Sequence, residues 1–196
     1  MKDLLPLFST TDDPMQDPNG RAALARIGIY ANLQAWKGPR MIGAENVDVM
    51  DGKRFVFEPG GRRMLIVPVW HRPLPLDDGL PDYQPDPLLD LIAFHPERPG
   101  QWWTLSGEPM LGEVWADRAA HFDEPLNVYA TPLAWLAHGG RGCCVLDWES
   151  PPWIALANCR RVIAENAETA RRLAKVTRPR LSAPEIRIAV ADGVAA

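Results

Sequence analysis

Acidic residues stand where several apolar runs end. Residues 143–146 (CCVL) and 162–164 (VIA) are short apolar segments closed by Asp147 and Glu165, and each is followed by a helix-start signal. Asp192 follows the last apolar run, 186–190, in the same way, and Glu149 lies just beyond Asp147. If these runs are parallel strands, the acids share the carboxyl rim of one sheet, where open α/β sheets collect their ligands. Crowded carboxylates repel one another unless they share a divalent cation, typically Mg²⁺ held by one or two carboxylates and a substrate phosphate. Asp147, Glu165 and Asp192 are therefore candidate catalytic residues for phosphoryl transfer, with Glu165 and Asp147 as the metal ligands and Mg²⁺ as the cofactor of that reaction. The plainer alternative is that these acids cap helices and mark loop starts, which accounts for Glu149 and Glu168 without any metal.

A second group of residues is basic. Arg160, Arg161, Arg171, Arg172 and Lys175 fall within one short stretch, and Arg178, Arg180 and Arg187 follow. The formal charge of the chain is −4, balanced by acids nearer the front, among them Asp12, Asp13, Asp17 and the run from Asp77 to Asp90. This gradient permits a nucleic-acid contact near the C-terminal end, although a solvated helix face gives the same pattern. Nucleophilic catalysis needs a thiol or hydroxyl beside a base, and Cys144 with His138 are the right types. Nothing in the sequence orders them, because Cys144 lies inside an apolar strand. No Walker loop, dinucleotide glycine fingerprint, zinc ribbon, zinc-protease motif or serine-hydrolase elbow is present.

These residues must be held by a fold of 196 residues, enough for one sizeable core. Hydrophobic residues make up 46% and charged residues 23%, the balance of a globular chain. Residues 1–18, with three prolines and little periodicity, read as a tethered or frayed flexible arm, and 19–196 as one mixed α/β domain. Asn19 is a candidate N-cap for one amphipathic helix that runs to Trp36 and stops at Gly38-Pro39. Residues 47–50 and 54–57 flank Asp51-Gly52, the strongest hairpin signal in the chain. The run 63–70 supplies a third strand, with Pro68 predicting an edge or a bulge. Residues 71–87 form a Pro/Asp-rich loop or lid, and 88–94 and 101–105 are further strands joined at His95, an incidental turn histidine. The antiparallel part thus spans 19–105.

From 126 to 196 the pattern alternates: strands at 126–129, 143–146, 162–164 and 186–190, with helices beginning near Thr131, Ser150 and Asn166. Such alternation predicts right-handed βαβ crossovers and a parallel sheet, so an N-terminal antiparallel meander leads into a C-terminal βαβ part. Eight tryptophans imply a core built on large rings, with some available to a partner. Three cysteines without metal spacing fit a reducing cytoplasm. The N-terminal MKDLLPLFSTTDD lacks the apolar core of a signal peptide, and no run of about 18 apolar residues exists to cross a membrane. The expected localisation is cytoplasmic.

Residues 162–170, VIAENAETA, resemble the strand–Glu–helix segment of Toprim-type primases from phages and plasmids. Upstream, RRMLIVPVW and DLIAFHPERPGQWWTLSGEPMLGE resemble the region that precedes the catalytic core in such proteins, and accessory proteins of prophage replication modules. The resemblance implies that Glu165 is the strand-end catalytic glutamate. A Toprim core goes on to an Asp-x-Asp pair, whereas Ala191-Asp192-Gly193 offers a single Asp, which implies an incomplete metal pair in a truncated or degenerate relative. Three functions follow as expectations. The first is a non-enzymatic binding or accessory protein of a mobile element, contacting nucleic acid through Arg160, Arg161, Arg171, Arg172 and Lys175, or a phage or host protein. The second is a Mg²⁺-dependent phosphoryl-transfer enzyme. The third is a protein-interaction module built on tryptophans and the acidic loop.

Overall fold

A computed structural model describes residues 4–36, 40–50, 52–70, 88–151, 153–177 and 185–188. The Pro/Asp-rich loop 71–87 and Asp192 lie outside these residues, as do Arg178 and Arg180.

Residues 4–12 are tied down. Helix α1 (Leu5–Ser9) buries Phe8 under the Arg40 guanidinium, which sits 4.4 Å above its ring and donates to Thr11 O at 3.0 Å. Asp12 then bridges to Ala44 through two backbone hydrogen bonds of 3.1 and 2.9 Å. Residues 4–12 therefore pack as part of the domain, because one aromatic ring and one backbone pairing outweigh the local lack of periodicity.

The single helix expected over 19–36 is two. Helix α2 (Pro18–Arg26) starts at an Asp17 N-cap, whose carboxylate accepts the Gly20 amide at 2.7 Å, with proline at the first helical position. Gly28, at φ 81°, ends it in a conformation that glycine adopts at no steric cost, and helix α3 (Tyr30–Ala35) follows.

Strands β1 (Gly43–Val49) and β2 (Phe55–Phe57) form the expected hairpin, with Val49 opposite Phe55. Strand β3 (Arg62–Trp70) pairs with β1 on one side and with β4 (Leu88–Phe94) on the other, and β5 (Trp102–Thr104) follows β4. The order is β2-β1-β3-β4-β5, all antiparallel. Pro68 is thus inside the sheet and not on an edge strand. It is tolerated because pairing with β1 stops at Ile66, so at Pro68 only β4 is alongside, and the register shifts one residue later, between Val69 and Trp70. The two edges of this sheet meet: Thr104 donates its amide to Lys53 O at 2.8 Å, and Arg54 bridges to Thr104. The sheet is curled upon itself and its edge groups are paired.

A buried carboxylate leads out of this half. Asp90, on β4, accepts the backbone amides of Leu91, Leu105, Ser106, Gly107 and Glu108 at 2.6–2.9 Å and fixes the link between the halves. After that link the chain forms β6 (Met110–Leu111).

The second half holds α4 (Glu113–Phe122), β7 (Leu126–Tyr129), α5 (Pro132–Ala137), β8 (Cys143–Val145), α6 (Trp153–Ala157), β9 (Arg161–Ala164), α7 (Ala167–Thr177) and β10 (Glu185–Ile188). Thr131 caps α5 by accepting the Ala134 amide at 3.1 Å, with Pro132 at the first helical position. The sheet order is β10-β9-β7-β8-β6, parallel except for β6. The chain steps from β7 to β8 on one side, then crosses β7 to reach β9 and β10. Helix α5 accordingly packs with α3 and the curled sheet, while α4, α6 and α7 pack together on the opposite face.

One apolar cluster takes Ile42, Val67, Ile92 and Phe94 from the curled sheet together with Tyr129, Leu136 and Cys144 from the parallel half. The protein is one mixed α/β domain with two sheets. Among the described residues no helix is long and apolar enough to cross a membrane.

Candidate functional site

The carboxyl rim of the parallel sheet carries Asp147 after β8 and Glu165 after β9, with β7 between them. Two strand spacings, roughly 10 Å of backbone, therefore separate their attachment points. Each is already engaged. Glu165 Oε2 accepts the Ala130 amide at 2.6 Å, and the Glu165 amide donates to Val128 O at 2.9 Å. This stitches the end of β9 to the end of β7, across the place where the connecting helices depart to opposite faces and a ligand crevice is usual. Asp147 Oδ1 accepts from Lys53 Nζ at 2.7 Å and from the Glu149 amide at 3.0 Å, and Glu149 Oε2 lies 3.3 Å from the same ammonium.

Lys53 reaches this rim from the β1–β2 turn of the other sheet, so one ammonium pins the two halves together. Its hydrogen bond holds the Asp147 carboxyl below the ordinary carboxylate range, and the same bond raises the Lys53 ammonium above its usual value. Among the described residues no three His, Cys, Asp or Glu side chains are grouped to hold a metal ion. The acids share a rim, but the structure does not bring Asp147 and Glu165 to one point, and a lysine stands where a cation would share Asp147. This donor set does not fit Mg²⁺.

The thiol and histidine do not meet either. Cys143, Cys144 and Cys159 are buried free thiols. Burial pushes the Cys144 thiol well above its usual value and Cys159 up to about 11, so neither is a thiolate at neutral pH. His138 stacks on the Tyr129 ring at 4.5 Å, with Nδ1 2.8 Å from Ala134 O.

The basic residues divide into two sets. Arg171 and Arg172 on α7 share Glu168, at 3.1 and 3.0 Å, and the Arg172 guanidinium lies 5.7 Å from the centre of the Trp148 ring. Arg160 and Arg161 lie on the opposite, amino rim, since Val162 is in register with Leu126 at the start of β7. Lys175, in the last turn of α7, lies toward that rim because α7 runs back along the sheet.

At the amino rim α4 ends on Phe122, and Asp123 turns the chain in a left-handed conformation, φ 56°. Arg160 Nη1 is 2.8 Å from Asp123 Oδ2, and Arg161 Nη2 donates to Asp123 O at 3.2 Å. Arg118 reaches Glu124 at 3.2 Å and places its guanidinium 5.1 Å above the Phe122 ring, while His121 meets the same ring edge-on at 4.7 Å. Phe122 is 59% exposed, the most exposed of the large apolar side chains that stand out among the described residues, none of which is a tryptophan. One guanidinium, that of Arg118, thus lies over this solvent-facing ring, and two more, of Arg160 and Arg161, reach the next residue, Asp123. Sequence reasoning names Arg160 and Arg161 and misses Arg118, His121 and Phe122, because Phe122 continues the Trp115–Ala119 spacing that marks an inward helix face. The signal that could have found it is its place in the last turn, beside charges of both signs.

Comparison of the chain with protein-family models, with curated proteins and with solved structures finds no match.

Proposed function

We propose that this protein is a binding protein, acting as an accessory and not as a catalyst, that engages single-stranded nucleic acid through the amino rim of its parallel sheet. The observation that carries this is Phe122, solvent-facing with the Arg118 guanidinium over its ring, next to Asp123, on which Arg160 and Arg161 converge. Sequence-tolerant binding of single strands combines aromatic rings on which bases stack with guanidinium groups along the backbone path. The ion pairs of Arg160 with Asp123 and of Arg118 with Glu124 are solvent-accessible, with Arg160 80% exposed, and such pairs are weak enough for phosphate oxygens to replace the carboxylates. Lys175 extends the same basic surface, and Arg171 and Arg172 add charge further along α7. A mobile-element replication setting is drawn from the resemblance of residues 162–170, and of RRMLIVPVW and DLIAFHPERPGQWWTLSGEPMLGE upstream, to Toprim-type primases and accessory proteins of prophage replication modules.

Fluorescence anisotropy of a labelled single-stranded oligonucleotide tests the proposal. The association constant is expected to fall with salt with a log–log slope of about −2 to −3, the value for three or four phosphates on a single strand. Phe122→Ala is expected to cost about 1–3 kcal/mol of affinity. Absence of binding at low salt, or binding that ignores salt and the Phe122 and Arg160/Arg161 substitutions, overturns it.

A further inference from the structure

We propose that the open end of the curled sheet is a separate binding site for a small ligand that joins a flat ring to a phosphate, of the mononucleotide class. A cavity of about 520 Å³ opens where the end of β1, the start of β3 and the β4–β5 turn come together. That volume lies in the range of small-molecule sites, and the mouths of curled or closed sheets are a usual place for them.

The lining is mixed in a specific way. Val47 and Met64 are buried beneath it, and Trp103 is half-buried at its wall, which supplies a flat apolar surface for a ring. Arg62 from β3 and Arg98 from the β4–β5 turn both line the cavity, and neither has an ion-pair partner among the described residues. Their neighbour Arg63 differs, pairing with Asp12 and Glu45. A guanidinium at a cavity wall with no ion pair among the described residues is the planar donor fork that phosphate oxygens accept in pairs.

His95 adds a donor of defined tautomer. Its Nδ1 accepts the Glu97 amide at 3.2 Å, which leaves the proton of the neutral ring on Nε2. Asp48 and Glu97 also line the cavity. These two carboxylates oppose a polyanion and accept hydrogen bonds from hydroxyl or amino groups. Two cations, two acceptors and one indole therefore suit a compact ligand with a single phosphate at one end and donors at the other, better than inorganic phosphate, a bare ring or a polyphosphate.

Calorimetric titration of the full chain with AMP, UMP, adenosine and inorganic phosphate tests this. The mononucleotides are expected to bind at sub-millimolar concentration, with adenosine and inorganic phosphate each at least about tenfold weaker. The exposed double variant Arg62→Ala/Arg98→Ala should lose at least about tenfold in AMP affinity with its melting temperature unchanged. Trp103 is packed enough that removing it could disturb the sheet, so the wild-type chain supplies the second readout: the Trp103 indole N–H resonance, assigned by its absence in Trp103→Phe, should shift on titration with AMP. The Arg160→Ala/Arg161→Ala variant should bind AMP as the wild type does, which separates this site from the amino rim. No mononucleotide binding at millimolar concentration, adenosine binding as tightly as AMP, an unaffected Arg62/Arg98 variant, or a Trp103 resonance that does not move would each overturn the proposal.

Discussion

Lys53 Nζ lies 2.7 Å from Asp147 Oδ1, joining the hairpin turn of one sheet to the carboxyl rim of the other. The pair is half in water, with side-chain exposures of 53% and 31%, so its contribution is that of a surface ion pair, about 0.2–1 kcal/mol. Its pH window follows from the two shifts. Asp147 is held below its ordinary value, so its share is present above the unfolded carboxylate pKa and is lost as pH falls through the lowered one. Lys53 is raised, so its share is complete below the unfolded lysine pKa and is lost as pH rises through the raised one. Urea unfolding of Lys53→Ala should show a loss of about 0.5 kcal/mol at pH 7 that disappears in strong acid. A loss that persists unchanged at pH 2 would mean that Lys53 acts through packing alone.

Glu165 is expected to behave as a strand stitch. Glu165→Gln keeps an oxygen for the Ala130 amide and should stay within about 0.5 kcal/mol of wild type, whereas Glu165→Ala should cost about 1 kcal/mol. Mn²⁺ should shift the melting temperatures of wild type and Glu165→Gln equally. A stabilisation by Mn²⁺ seen only in wild type would restore Glu165 as a metal ligand.

Asp90 gathers five backbone amides onto one fully buried carboxylate. Asp90→Ala should cost about 2–4 kcal/mol by chemical denaturation, the largest loss among the polar substitutions discussed, because some of the orphaned amides reach water and the rest do not. Asp90→Asn should recover part of that loss, since one acceptor oxygen remains. Hydrogen exchange at residues 105–108 should accelerate in both variants.

The three thiols should be nearly inert in the native chain. Cysteine labelling at pH 8 is expected to be about 100-fold slower than in urea, since burial keeps all three protonated. Rapid labelling of Cys159, whose thiol is pushed up to about 11, would show that the α4–α6 face opens locally.

Phe122→Ala should leave stability within about 0.5 kcal/mol of wild type, as expected for a solvent-facing side chain, while lowering oligonucleotide affinity. A large stability loss, measured by thermal melting, would place Phe122 in a packing role.

Strand and helix positions were legible where local chemistry decides them. Asp51-Gly52 marked the hairpin, and Thr131-Pro132 marked the start of α5. The alternation after 126 marked a parallel sheet. What could not be seen was long-range pairing. Strand order decides that β7 lies between Asp147 and Glu165, and no local pattern encodes it. The closure of the curled sheet likewise rests on Lys53 meeting Thr104, far apart in the chain. Met110 and Leu111 form a strand only because β8 is there to pair with them. The amino-rim patch was half visible: Arg160 and Arg161 stood out by composition, while Phe122 required knowing where α4 ends.

The apolar cluster shared by the two sheets has a consequence for modularity. Cutting the chain within 105–108 would sever the covalent link but leave Ile92 and Phe94 still facing Leu136 and Cys144. The two pieces are therefore expected to behave as complementing fragments, each incomplete when produced alone and regaining order when mixed. Neither half is a unit that a recombination event could transplant by itself.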